Sequence, residues 1–468
     1  MENLYQFDEE FRDSIATVDE SGKRIWVYPK KPKGSFHTRR VIVAIILLVL
    51  LLGGPFIKIG GHPFMLINVF ERRFIFFGIP FWPQDFYILA LMMIAFVVFI
   101  VLFTVVFGRA WCGWACPQTI FMEMVFRKIE YWIEGGAIQQ RRLDQQKWDS
   151  KKMFKKTLKH LVFLLIAIVI AHTVMAYLIG IDEMKEVITQ PPSEHLAGFI
   201  GLVSFTGIFY FVFAYLREQV CIGICPYGRL QGVFLGNDSI AVMYDWLRGE
   251  KRGKLKRNNE FNEKQGDCID CKMCVHVCPT GIDIRNGTQL ECVNCTACID
   301  ACDEIMTKVN KPKGLIRYAS INSVKEGRKK LLTSRVFGYS TVLAVLVTII
   351  VVLLITRTDV QTTILRQPGM LYQLRENDRI SNIYDVNYVN KTYNDVKVEL
   401  KVAGIDGATI QQVGNITDII PASEKIKSNY FIELPKSAIK GRNTDIDIEV
   451  YINGELVETE KTNFIGPF

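Results

Sequence analysis

Unbroken apolar runs occupy the first three quarters of the chain, and apolar and polar residues alternate through the last quarter. A membrane helix needs about 20 predominantly apolar residues. Five runs approach or meet that length: residues 41–57, 86–107, 161–179, 196–216 and 336–355. The first is the shortest and is interrupted by Gly53, Gly54 and Pro55. It starts far from Met1, and no small-residue cleavage site follows it, which predicts a membrane helix rather than a signal peptide. Between the first two runs, residues 68–84 are rich in aromatics, including Phe70, Phe74, Phe76, Phe77, Phe81 and Trp82. Gly78, Pro80 and Pro83 break that stretch too often for it to span. It reads either as an interfacial element at the outer surface or as packing under the helices.

Beyond residue 355 the period changes to two. Val396, Val398, Leu400 and Val402 alternate with Lys397, Glu399 and Lys401. Ile446, Ile448, Val450 and Ile452 alternate with Asp447, Glu449 and Tyr451, and Asn453-Gly454 follows. Asn-Gly between two such strands predicts a type I′ hairpin, with the partner strand starting at Glu455. Several short strands over about 100 residues predict a β-sandwich. This part has no cysteine, no histidine and no catalytic set, so it reads as a binding or stabilising module.

Charge orients the spans. The net charge is +8, and its Lys and Arg residues collect in particular loops. Lys30, Lys31, Lys33, Arg39 and Arg40 precede the first run. Arg127, Lys128, Arg141, Arg142, Lys147, Lys151, Lys152, Lys155 and Lys156 follow the second. Lys325, Arg328, Lys329, Lys330 and Arg335 precede or open the fifth. The loop after the third is acidic, with Asp182, Glu183 and Glu186 against Lys185. The positive-inside bias then predicts a cytoplasmic N-terminus and an external segment beyond residue 355. No nucleic-acid-binding motif accompanies the basic charge.

All 12 cysteines fall into four motifs. Two are C-x2-C-x2-C-x3-C quartets: Cys268, Cys271, Cys274 and Cys278, followed by Pro279, and then Cys292, Cys295, Cys298 and Cys302, followed by Asp303. This is the ligand run of a two-cluster ferredoxin, in which the fourth cysteine of each quartet ligates the other cluster. The expected ligand sets are Cys268, Cys271, Cys274 and Cys302 for one 4Fe-4S cluster, and Cys292, Cys295, Cys298 and Cys278 for the other. Structural zinc prefers C-x2-C pairs separated by a longer loop. With no cysteine left for a disulfide framework, this segment is expected to face a reducing compartment.

The other two motifs are C-x3-C-P: Cys112, Cys116 and Pro117 after the second run, and Cys221, Cys225 and Pro226 after the fourth. Arg109 and Arg217 stand a few residues upstream of them. The motif therefore repeats with its helix. A spacing of i, i+4 puts two sulfurs on one helical face, and the proline weakens the helix there. Convergent thiols are soft ligands for Cu(I), zinc or an iron–sulfur cluster, and they can also cycle between dithiol and disulfide. Simple apolar packing is the plainer alternative. Of the remaining candidates, His172 lies within the third run. Met92, Met93, Met122 and Met124 lie near the first thiol pair, where thioethers either ligate copper or fill gaps. His276 reads as a surface residue beside the first quartet.

The order of parts, with GRAWCGWACPQT and CIGICPYGR beside the cysteine quartets, resembles the cytochrome c oxidase accessory proteins of the FixG/CcoG (RdxA) type along essentially the whole chain. The resemblance implies a multi-pass protein of the bacterial inner membrane with two 4Fe-4S clusters. It implies a cupric reductase, Cu(II) to Cu(I), for the copper centre of a cbb-type oxidase, with oxidase subunits or copper chaperones as partners. On this reading Cys112, Cys116, Cys221 and Cys225 are the copper or membrane-redox residues. The parts the resemblance implies are an arm at 1–35, a four-helix membrane region at 36–235, a ferredoxin-like domain at 236–330, a fifth span at 331–357 and an outer immunoglobulin-like β domain at 358–468. Two other functions stay open: a quinol-oxidising conduit to another reductase, and a non-redox scaffold. No C-x-x-C-H haem-attachment motif is present.

Overall fold

A hydrogen bond from outside the apolar run decides where the first membrane helix begins. The helix spans Ser35–Gly53, so it starts well before residue 41. Gly34 offers no side-chain cap. Instead the Asp300 carboxylate accepts the N–H groups of Phe36 and His37, at 3.2 and 2.7 Å. Those are donors of the first turn, which have no partner inside a helix.

The computed structural model describes residues 17–18, 21, 23–254, 265–327, 330–369, 371–375, 378–414 and 418–467. Most of the N-terminal arm, and Arg328 and Lys329 of the basic loop, lie outside these. Among the described residues five helices are long and apolar enough to cross a membrane: Ser35–Phe56, Pro83–Phe107, Ser150–Ile179, Leu196–Leu216 and Ser334–Ile355. The third starts at Ser150 rather than 161 because Asp149 caps it, its Oδ1 accepting Lys152 N–H at 2.7 Å.

Two of these helices break in the same way. The second ends at Phe107, with Gly108 at φ +54°, and the fourth ends at Leu216, with Arg217 at φ +56°. A short helix, Ala110–Trp114, then carries Cys112, and a π-helical turn, Val220–Ile224, carries Cys221. Cys116 and Cys225 lie beyond them in extended conformation, with ψ 125° and 113°. The expectation that each pair shares one helical face is therefore corrected. A residue before proline is driven out of the α region, and Pro117 and Pro226 instead open new helices, Pro117–Thr119 and Pro226–Phe234.

The ferredoxin-like part holds helices Met273–His276 and Ala297–Lys308 beside an antiparallel strand pair, Ala241–Tyr244 with Ile316–Ala319. Its core packs Val242, Tyr244, Ile284, Ile299, Met306 and Ile316. The two quartets repeat one backbone path. Asp270 and Asn294 both have φ +52°, and Lys272 and Thr296 have φ +55° and +63°. Asp and Asn tolerate this region, whereas a β-branched residue such as Thr296 adopts it only where its surroundings hold it there.

The chain divides into two compact units, Met1–Asn68 with Ala90–Thr348 and Val69–Leu89 with Ile349–Phe468. In the second, one antiparallel sheet orders Thr409–Gln412, Lys425–Pro435, Arg379–Asn390 and Val360–Arg366, with Gln373–Arg375 also on the third of these. The other orders Ile419–Ile420, Val396–Ala403, Asn443–Ile452 and Glu455–Ile465. Tyr384, Ile432 and Leu434 from one sheet and Ile448, Val450 and Phe464 from the other fill the space between. Asn453 and Gly454 take φ +51° and +91°, as a type I′ turn requires. The aromatic stretch forms a hairpin, Arg73–Phe76 with Ile79–Phe81, that belongs to this unit. Asp85 beside it is buried and pairs with Arg357 at 2.8 Å and Lys391 at 2.7 Å.

Removing the Asp300 cap tests the first of these contacts. Asp300→Ala is expected to destabilise the protein by about 1–2 kcal/mol, the upper range for a lost helix cap. Asp300→Asn, which keeps an acceptor, is expected to lose less. The thermal midpoint of tryptophan fluorescence reads the difference.

Candidate functional site

Two small cavities lie inside the ferredoxin-like part. Cys268, Cys271, Cys274 and Cys302 line one, together with Tyr244 and Arg285. Cys278, Cys292, Cys295 and Cys298 line the other, and Cys274 touches both. The fourth cysteine of each quartet thus sits in the cavity of the opposite quartet. Burial pushes the Cys274 and Cys292 thiols up to about 12 and Cys295 to about 11. Among the described residues, no three His, Cys, Asp or Glu side chains converge closely enough for one metal ion. An all-cysteine donor set spread around a cavity suits an iron–sulfur cube better than a zinc tetrahedron.

The four C-x3-C-P thiols gather beside the second cavity. Burial first, then the nearby Cys116, Cys112 and Cys225, together push Cys221 up to about 12, against a small lowering by Arg109. Cys112 is raised by burial, which the Arg109 charge and a Gln231 hydrogen bond partly offset. Arg109 is buried, its Nε donating to Gln231 Oε1, while Gln231 Nε2 donates to Cys112 Sγ at 3.5 Å. The contact to the ferredoxin loop is backbone on backbone. A Cβ at Gly113 would stand 2.5 Å from Asn294 O and 2.6 Å from Val293 O, so only glycine fits there. Cys112 packs in one apolar cluster with Val293, Cys295 and Ala297.

A belt of buried ions links the segments that follow and precede the two motifs. Arg217 donates both Nη groups to Glu130, each at 2.9 Å. Arg127 pairs with Glu123 at 3.0 Å and Glu218 at 3.7 Å, and Lys159 pairs with Glu134 at 3.0 Å. Burial opposes ionisation of Glu130, but Arg217, Lys159 and Arg127 together hold its carboxyl below the usual range. Gln118 Nε2 donates to Arg217 O at 3.2 Å and so ties the first motif to the break before the second.

The remaining candidates separate from this site. Met122 and Met124 are buried in apolar clusters with Phe121, Phe126 and Ile120, where they fill space. Met93 is exposed on the second span, and Met92 beside it is half-buried. His276 ends a short helix, and its carbonyl accepts Lys30 N–H at 2.7 Å. His172 lines a separate cavity between the third and fourth spans. Sequence reasoning did not find Gln231, Gly113 or Asp300. Nothing periodic marks them, since each acts across more than 100 positions of the chain.

Glu130 carries a pH expectation. Its pKa is lower in the folded state, so its pairing contributes fully above the ordinary value of 4.5 and is lost as pH falls through the folded value. Glu130→Gln is expected to cost about 3–5 kcal/mol by leaving Arg217 buried without its carboxylate. It should also flatten the fall in unfolding midpoint below pH 4.5.

Three parts of the chain match the models of known families. Residues 216–321 match the model of a 4Fe-4S dicluster domain, and residues 89–135 match that of a 4Fe-4S binding domain. Residues 350–467 match the immunoglobulin-like fold at the C-terminus of FixG. Protein RdxB of Cereibacter sphaeroides is 34% identical over 449 residues, covering 92% of this chain and 93% of RdxB. Protein RdxA of the same organism is 33% identical, covering 81% of this chain and 83% of RdxA. The nitrogen fixation protein FixG of Rhizobium meliloti is 35% identical over 64% of this chain and 58% of its own. With five membrane helices, a dicluster ferredoxin-like domain and a FixG-type sandwich in one order, the chain belongs to the FixG/RdxA family of membrane-bound iron–sulfur electron-transfer proteins.

Proposed function

We propose that this protein is a cupric reductase that supplies Cu(I) for the copper centre of a cbb-type cytochrome c oxidase. The observation that carries the reading is the packing of Cys112 and Cys221 against the second ferredoxin loop at Gly113, with Cys116 and Cys225 near Cys221. In this reading Cys268, Cys271, Cys274 and Cys302 hold one 4Fe-4S cluster, and Cys292, Cys295, Cys298 and Cys278 hold the other. Bound clusters supply one-electron transfer, at potentials that the surrounding protein tunes between about −700 and +450 mV.

The chain's own residues do the rest. Cys112, Cys116, Cys221 and Cys225 receive the copper, and thiolates favour Cu(I) over Cu(II). Clusters held by the eight quartet cysteines would supply the one electron that turns Cu(II) into Cu(I), and the four C-x3-C-P cysteines would hold the copper without being oxidised themselves. Burial keeps Cys112 and Cys221 as thiols, so copper must displace their protons on binding, and the Arg109 charge offsets only part of that cost. Val293 and the burial of Cys112 limit water at the junction. The setting we propose is the bacterial inner membrane, with the ferredoxin-like domain in the reducing cytoplasm and the sandwich outside.

Protein purified without oxygen is expected to hold about eight irons per chain. Cys278→Ser and Cys302→Ser should each cost one cluster, read by iron analysis. Dithionite-reduced protein should convert Cu(II) to Cu(I), trapped by a colorimetric Cu(I) chelator. The Cys116→Ser/Cys225→Ser double variant should keep its iron and membrane level and lose that conversion. Equal copper reduction by the double variant would overturn the role given to these thiols.

A further inference from the structure

Two arginines are buried beside the second cysteine quartet with only neutral acceptors. Arg40 comes from early in the first membrane helix, and its Nη1 donates to the Cys295 carbonyl at 3.1 Å. Arg109 comes from the break after the second, where its Nε donates to Gln231 Oε1 and its Nη2 to Gly228 O at 3.4 Å. Each is only 4% exposed. Arg109 Nη1 is buried and has no hydrogen-bond partner. Among the described residues, neither guanidinium has a carboxylate within ion-pair distance.

A guanidinium keeps its charge in a protein, and burying that charge without a counter-ion is strongly unfavourable. Other buried arginines of this chain obey the rule. Arg127 has Glu123 and Arg217 has Glu130. Arg285, which lines the first cysteine cavity, has both Asp270 and Asp283 at 2.6 Å. Arg40 and Arg109 depart from it, and both act on the same quartet.

A cluster held there would be the missing counter-charge. Four thiolates leave an iron–sulfur cube net negative, and reduction adds one electron, hence more negative charge, with no bond made or broken. The field is already felt by the ligands. Burial raises the Cys295 and Cys292 thiols, and Arg40 is the cation acting against it at Cys295, Arg109 at Cys292. At Cys274, in the first cavity, the lowering by Arg285 is opposed by Asp283. Two carboxylates on the side of the second quartet are engaged elsewhere: Glu123 pairs with Arg127 at 3.0 Å, and Asp300 accepts the N–H groups of Phe36 and His37.

We propose that Arg40 and Arg109 are the counter-charges of the second cluster and raise its reduction potential by stabilising its reduced form. The charges then bias an electron toward the cluster that lies beside the C-x3-C-P thiols. The proposal rests on the iron–sulfur part of the reading above and not on copper.

The experiment titrates the full-length protein, purified without oxygen and without added copper, against dithionite and follows the clusters by EPR. The midpoint that Cys278→Ser removes belongs to the second cluster. Arg40→Gln and Arg109→Gln should each move that midpoint to more negative potential, and by more than they move the other. Arg40→Lys and Arg109→Lys keep the charge and should move it less. If a glutamine variant loses the second cluster and the lysine variant keeps it, the cation is needed to hold the cluster, which supports the same assignment. An unmoved midpoint in both glutamine variants at parental iron content, or an equal shift of both midpoints, would overturn the proposal. Loss of the cluster in the lysine and glutamine variants alike would do the same by making the arginines packing groups. A parent without iron would instead overturn the iron–sulfur reading, and this proposal with it; iron analysis tells that case apart.

Discussion

At Gly113 the backbone of the membrane-end motif rests on the backbone of the second cysteine quartet, with no room for even a methyl group between them. Much of the site depends on this approach. It brings Cys112 into one cluster with Cys295 and Val293, and it brings Arg109 close enough to act on Cys112, Cys221 and Cys292 alike. On the proposed reading, the quartet thiols and the C-x3-C-P thiols must be neighbours if electrons are to pass between them. In this chain that proximity comes from a missing side chain.

The polar contacts around that junction are buried ones, where pairing matters more than at a surface. Arg217 and Glu130 meet through two bonds of 2.9 Å, and Glu218 takes Arg24 at 2.8 Å. Buried charges left alone are strongly unfavourable, while paired ones hold one arrangement against alternatives. The belt therefore holds the segment 118–134 against the break at Arg217, which keeps the two thiol pairs together. Asp300 does related work from the ferredoxin side, and Arg40 Nη1 adds a bond of 3.1 Å to the Cys295 carbonyl. The first span is thus tied to the second quartet at two points.

The sandwich unit has its own core and its own buried ion cluster at Asp85. Its two sheets bury their apolar faces against each other, as alternating strands must. The hairpin from before the second span joins it through Tyr393, whose hydroxyl donates to Gly78 O at 2.7 Å.

Local chemistry determined much of this protein from the sequence alone. A stretch of about 20 apolar residues in lipid can satisfy its backbone only as a helix, so five runs named five spans. Thiolate spacing named the ferredoxin-like segment, and period-two alternation with Asn453-Gly454 named the sandwich. Tertiary structure decided the rest, because it joins residues with no local relation. Asp300 starts a helix more than 250 positions away, and Gly113 is distinguished from other glycines only by what lies against it. The same holds for the cysteine pairs. Spacing alone allows i, i+4 on one helix, and the prolines together with the breaks at Gly108 and Arg217 place the sulfurs otherwise. Sequence period reports which face of an element is apolar. It carries no record of which distant face that surface will meet.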